Sequence, residues 1–268
     1  MTVRCWCSST AGRSPWSRGG CWNKRPPRPV DPGMKVEIWS DVVCPWCAIG
    51  KRRFEKALAQ FAHRDEVEVT WRSFELDPGA PQEREGDLAE HLASKYGVSR
   101  EQADGMHRQM TETAAADGWE FHFEHARGGN TFDAHRLIHL GAERGVQDAV
   151  KERLFRAYLT EGERIGDPET LVRIGAEAGL DADEARAVLA SDRFADEVRA
   201  DERQAQAFGI NGVPFFVIDR TYGVSGAQPA ETLLEVLDTA WAKSHPRQVL
   251  TPAGGPDGSA CTDGSCAV

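Results

Sequence analysis

The apolar positions change their period three times along the chain. "KVEIWS" (35–40) alternates through Val36 and Ile38, and "EVEVTWRSFE" (66–75) through Val67, Val69 and Trp71, the two-residue period of strands. Between them Phe54, Leu58 and Phe61 recur at i, i+4 and i+7, which gives a helix one apolar face. From about 83 to 209 the period turns helical, and Gly, Asp and Pro breaks divide it into five or six segments: "DLAEHLASKYG", "TFDAHRLIHLGAERG", "AVKERLFRAYLTEGE", "ETLVRIGAEAGL", "DEARAVLASD" and "RFADEVRADERQAQAFG". The last sets Phe194, Val198, Ala205 and Phe208 on one side and ends at Gly209, a good helix stop. "VPFFVI" (213–218) returns to strand composition, "DRTYG" turns and "YGVSG" pairs back, and Leu233, Leu237, Ala240 and Trp241 stripe a final helix. The order β-α-β, helices, β-β-α predicts an α/β fold with a large helical insertion.

The two ends break this pattern. Residues 1–33 hold six Lys or Arg, one acid, three cysteines and three tryptophans, with neither periodicity nor the apolar run of a secretory signal. Because only one of the 42 acids but six of the 32 basic residues lie there, the rest of the chain carries −15 against −10 for the whole. "MKVEIW" starts a strand at once, so Met34 is the expected natural start and 1–33 an unstructured leader; recovery of Thr2 or Val3 by N-terminal sequencing would contradict this. An Arg-rich transit peptide is the competing reading. Residues 246–268, rich in Gly, Ser, Pro and Asp, bury too little to fold alone and are expected to be a mobile tail.

Charge narrows the partners. A net −10 and a pI near 5.3 argue against nucleic acid or an anionic membrane surface. No run of about 18 apolar residues suggests a membrane span. Small molecules and other proteins remain.

The candidate chemistry lies in "SDVVCPWCAIG" (40–50), where Cys44 and Cys47 bracket Pro45 and Trp46 at the first strand-to-helix junction. Proline is well tolerated at a first helical position, which sets Cys44 at or near the N-cap and Cys47 about a turn later, more buried. A sulfur at a helix N-terminus gains about 0.3–1 kcal/mol for its ionised form. Thiolate is the species that attacks disulfides. Trp46 adds bulk without charge, so the stabilisation is expected to be smaller than beside a histidine. A metal clip, a structural disulfide and a redox couple are all open on residues alone. The clip has only two of zinc's four ligands, and the other close pair, Cys261 and Cys266, lies in the loose tail without a nearby histidine. Without an export signal the expected compartment is cytoplasmic, where disulfides are transient rather than structural.

The chain resembles the DsbA-like branch of the thioredoxin superfamily, and within it the cytosolic FrnE-like proteins named from polyketide biosynthesis. The resemblance rests on "EIWSDVVCPWCAIGKRRFE", on Asn130 to Leu140, and on "FGINGVPFFVI" at 208–218, and spans about 34–243. It implies a thioredoxin-like fold in two parts, 34–82 and 210–245, around a helical insertion at 83–209. It also implies Cys44 as attacking and Cys47 as resolving thiol, and a cis bond between Val213 and Pro214 facing them. Val213 would then offer its backbone to an extended substrate segment. Asn130, Thr131 and His135 are implied as walls of the cleft. FrnE-like proteins can carry a cysteine pair in the tail, so Cys261 and Cys266 are a possible second redox pair.

The activity these residues imply is thiol-disulfide exchange, as reductase or isomerase, on a disulfide-bearing protein or small molecule, with an unidentified thiol reductant and no cofactor or metal. One rival is a glutathione-dependent enzyme of the 2-hydroxychromene-2-carboxylate isomerase and kappa-class group, which resembles the same fold but generally has serine where Cys44 stands. Another is a non-catalytic binding protein of a polyketide pathway. Among other polar residues, Asp41 is either a proton acceptor or a loop cap. His135 and His139, four apart, lack the Glu of a metal-binding H-E-x-x-H helix and a third ligand. Trp39 and Trp71 read as core, His122 and His125 as surface or packing residues, and "GERIGD" as a turn.

Overall fold

The computed structural model describes residues 33–84 and 86–246. The leader up to residue 32, its cysteines, and the tail with Cys261 and Cys266 lie outside the described residues.

Strand β1 (Met34–Ser40) leads into helix α1 (Pro45–Gln60), and a 3₁₀ turn (Arg64–Glu66) into β2 (Val67–Ser73). Seven helices follow: α2 (Leu88–Tyr96), α3 (Arg100–Ala116), α4 (Phe132–Glu143), α5 (Gln147–Leu159), α6 (Pro168–Glu177), α7 (Ala182–Leu189) and α8 (Ala195–Ala207). The chain then returns as β3 (Phe215–Ile218), β4 (Tyr222–Ser225) and α9 (Ala230–Ser244). The sheet order is β2-β1-β3-β4, with β1 parallel to β2 and antiparallel to β3, and β3 antiparallel to β4.

Central β1 is buried on both faces. Val36 pairs with Val69 and Ile218, and Ile38 with Trp71 and Phe216, on the face that packs against α1 and α9. There Phe54 stacks on Phe216 with centroids 5.6 Å apart. On the other face Trp39 joins Ala205, Ile210 and Val217, meets Phe208 edge-on at 5.7 Å, and donates its Nε1–H to the Asp201 carbonyl at 2.9 Å. The aromatic strand positions therefore fix helices to both sides of the sheet. Trp71, buried like Trp39, donates its Nε1–H to Asp148 at 3.0 Å.

Among the described residues between β2 and β3 there are seven helices, one or two more than the five or six expected. The addition is α3, whose "REQADGMHRQMTETAAA" holds no Leu, Ile, Val or Phe and buries chiefly Ala103 and Ala114. Its N-terminus is set by a capping box, Ser99 accepting from Gln102 N–H while the Gln102 side chain accepts from Ser99 N–H. The Asp breaks in this region are themselves caps: Asp87, Asp167 and Asp181 accept from the first-turn N–H groups of α2, α6 and α7.

Candidate active site

Cys44 is the N-cap of α1, with extended φ/ψ of −88° and 112°, and Pro45 takes the first helical position. The loop closes because Cys44 N–H donates to Asp41 O at 3.2 Å, and the helix begins as Cys47 N–H donates back to Cys44 O at 3.0 Å. Both thiols are free; Cys44 retains 5 % exposure and Cys47 none. Trp46, between them, is exposed.

The peptide bond from Val213 to Pro214 is cis and faces the pair. The Cys44 thiol donates to the Val213 carbonyl at 3.6 Å, and neither backbone group of Val213 has a backbone partner among the described residues. The site opens into a cleft of about 420 Å³ between this loop and helices α2 and α3. Cys44, Trp46 and Val213 line it together with Met106, Met110 and Phe123, and with Arg84 and Lys95. An open groove of about 940 Å³ on the far side of α3 is larger but contains neither cysteine, so the chemistry belongs to the smaller space.

Beneath the dithiol lies a buried polar cluster. Asp41, fully buried, accepts the Leu76 N–H at 2.8 Å, and its Oδ1 is 3.4 Å from His135 Nε2. Burial pushes the Asp41 carboxyl up, but His135, the Leu76 N–H and the charge of Lys151 more than offset it and hold it below the usual carboxylate range. Burial drives His135 down, outweighing the opposing pull of Asp41. Burial, reinforced by Cys44, pushes the Cys47 thiol well above the ordinary range, so Cys47 is held as a thiol.

Of the residues the resemblance implied as cleft walls, Thr131 lines the cleft, whereas His135 is buried beneath it against Asp41. Asn130 is elsewhere: its Oδ1 accepts the Phe132 N–H at 2.8 Å at the start of α4, and its Nδ2 donates to Ala80 O at 3.3 Å. Its short amide belongs to that turn. Ser73, His139 and Asp201 also meet, but Ser73 Oγ (3.1 Å) and Asp201 Oδ2 (3.3 Å) approach the same ring nitrogen, so the imidazole cannot relay a proton between them.

Lys151 is the residue that sequence reasoning missed. It is fully buried in α5, its Nζ 3.4 Å from Ser40 O, and its charge acts on Asp41, Cys47 and His135. The signal was a lysine at i, i+3, i+4 and i+7 from Leu154, Phe155 and Tyr158, on the apolar stripe of an otherwise amphipathic helix.

The family described as the DSBA-like thioredoxin domain matches residues 35–238. The chain belongs to this family. A probable DsbA oxidoreductase from Streptomyces coelicolor is 50 % identical in sequence, with a TM-score of 0.76 over 84 % of this chain and 97 % of that one. At lower identity the likeness is one of fold alone. The cytosolic disulfide reductase DsbM from Pseudomonas aeruginosa, solved with GSH, is 18 % identical at a TM-score of 0.55, over 76 % and 98 % of the two chains. A 2-hydroxychromene-2-carboxylate isomerase is 11 % identical at 0.57, over 78 % and 97 %. The DSBA-like fold thus serves more than one chemistry, and the residues of the site must decide between them. Among the described residues no helix is long and apolar enough to cross a membrane, and no cluster of three His, Cys, Asp or Glu side chains has metal-binding geometry.

Proposed function

We propose that this DSBA-like chain is a thiol-disulfide oxidoreductase, acting as a reductase or isomerase in the FrnE-like manner and in a cytoplasmic setting. One observation carries the reading: the Cys44 sulfur, at the mouth of α1, borders an apolar cleft while a second, protonated thiol waits within the first turn behind it. The Cys44 thiolate attacks one sulfur of a substrate disulfide and expels the other as a thiolate; Cys47 then attacks Cys44, releases the second substrate thiolate and leaves an intramolecular disulfide. A thiol reductant restores the pair. The substrate is a disulfide-bearing protein or small molecule with an apolar flank to suit the cleft, and no cofactor beyond the two cysteines enters these steps. The helical block from 83 to 209 supplies the opposite wall, and the tail pair Cys261 and Cys266 is a second redox pair in the same reading.

The test is insulin-disulfide reduction by the full chain. Wild type should turn over, Cys44→Ser should be inert, and Cys47→Ser should accumulate a covalent mixed disulfide. Turnover by Cys44→Ser at the wild-type rate would sink the reading.

A further inference from the structure

Two hydroxyl side chains that line the cleft have nothing to bond. Thr131 and Tyr158 are each 3 % exposed and border the same space as Cys44 and Val213. A threonine at a helix N-cap ordinarily spends its hydroxyl on a first-turn N–H. Thr131 caps α4 without that bond, while the neighbouring Asn130 Oδ1 takes the Phe132 N–H at 2.8 Å. A buried tyrosine hydroxyl usually finds a partner too, yet that of Tyr158 has none among the described residues. Other unpartnered polar atoms of the interior, Ser40 Oγ and His135 Nε2 among them, are sealed from solvent; these two oxygens are not, and the space their side chains border is the cleft. Valine and phenylalanine would fill the same volumes without the cost of an unmade hydrogen bond.

The charges along the cleft say what kind of group would suit them. Burial pushes the Tyr158 phenol up from an ordinary value near 10, with the charge of Asp41 adding to this and that of Arg84 opposing it. The hydroxyl therefore keeps its hydrogen and can donate it. Two carboxylates border the cleft, and both are engaged: Asp77 pairs with Arg84 at 2.8 Å, and buried Asp41 accepts the Leu76 N–H and feels the charge of Lys151. Lys95 also borders it and has no carboxylate within ion-pair distance among the described residues. The cation left over is Lys95.

We propose that Thr131 and Tyr158 hold a carboxylate of the substrate, so that the site takes acidic disulfides in preference to neutral ones. The inference rests on the oxidoreductase reading and names its substrate class. A carboxylate brings two oxygens, one for each hydroxyl, and only accepts hydrogen bonds, which matches two donors without acceptors of their own. Its charge strengthens those bonds and is drawn to Lys95, a gain that a neutral amide does not make. The apolar part of the substrate has Met106, Met110 and Phe123 to pack on.

The test compares two probes that differ only in the carboxylate, dithiodipropionate and its uncharged diamide. The parent is full-length protein carrying Cys47→Ser, with Cys5, Cys7, Cys21, Cys261 and Cys266 also replaced by serine, so that Cys44 is its one thiol and the mixed disulfide is trapped. The rate of adduct formation, followed by mass spectrometry and divided by the rate of the same probe with mercaptoethanol, gives an acid-to-amide preference free of intrinsic reactivity. That preference should exceed about 10-fold in the parent. Tyr158→Phe and Thr131→Val should each remove most of it, about the factor of 10 that one hydrogen bond to a charged group supplies, through a higher half-saturating concentration of the acid rather than a lower maximal rate. A folding defect slows both probes alike and cancels in the ratio. No preference in the parent, or one untouched by both substitutions, would overturn the proposal and leave the hydroxyls to water; so would a preference lost only in Lys95→Gln, which would assign it to charge alone. A flat ratio, with Cys44→Ser still inert towards insulin and Cys47→Ser still trapping it, would leave the oxidoreductase reading standing, whereas no adduct with either probe or with insulin would sink both.

Discussion

Replacing Lys151 by methionine should stabilise the protein, and the size of the gain is set by the pH. Burial lowers the folded lysine to about 8 from an ordinary value of 10.5. Between those values the unfolded chain binds more protons than the folded one, so stability rises with pH through that window, and below pH 8 the full penalty is present. At about 1.4 kcal/mol per unit the penalty is about 3 kcal/mol at pH 7 and falls to about 1.4 kcal/mol at pH 9.5. Methionine keeps most of the length and packs against Phe155 and Trp71 without a charge. Urea unfolding of the reduced protein, followed by far-UV circular dichroism, should show Lys151→Met more stable by about 1–3 kcal/mol at pH 7, with the gap narrowing by pH 9.5. A variant less stable than wild type at pH 7, or a gap that widens with pH, would refute the reasoning: the ammonium would then have a favourable partner in the native state.

Three further substitutions probe other positions. A Cβ at Gly50 would lie 2.9 Å from Pro214 Cγ, so Gly50→Ala should push on the residue beside Val213 and lose more insulin-reducing turnover than stability, while Gly105→Ala, with nothing nearer than the tip of Arg108 at 3.7 Å, should stabilise by about 0.5–1 kcal/mol in urea. Glu75 is raised to about 7 by burial, with Glu202 adding to the effect and Arg199 opposing it. The folded state then binds the extra proton, so this group's contribution is fully present below about pH 4.5 and is lost as the pH rises through 7; Glu75→Gln should flatten the stability profile between pH 5 and 8, and an unchanged slope would count against the assignment.

The pattern of apolar positions was sufficient for most of the sheet and helices because each amphipathic element here carries its own period. Phe54 and the Val36/Ile38 alternation place α1 and β1 without reference to anything distant. Helix α3 escaped because its stripe of Ala103, Met106, Met110 and Ala114 holds no Leu, Ile, Val or Phe to mark it, and its capping box of Ser99 and Gln102 is made of polar residues that read equally well as loop. At the site, the placement of Cys44, Pro45 and Cys47 was legible, since a proline just inside the strand-to-helix junction sets the cap before it and the first turn after it. Lys151 was not: a lysine on a hydrophobic stripe is ordinarily an exposed position misjudged, and its meaning comes from Ser40 and Asp41, more than a hundred residues away. Asn130 shows the converse, a polar residue in a matching motif whose amide is spent on the turn beside it.

The bond from the Cys44 thiol to the Val213 carbonyl exists only while that sulfur keeps its hydrogen. Ionisation removes it, and so does joining to another sulfur. In the oxidoreductase reading proposed above, the chemistry that makes or uses a reactive sulfur thus also frees one of the two lone pairs on a main-chain acceptor beside it.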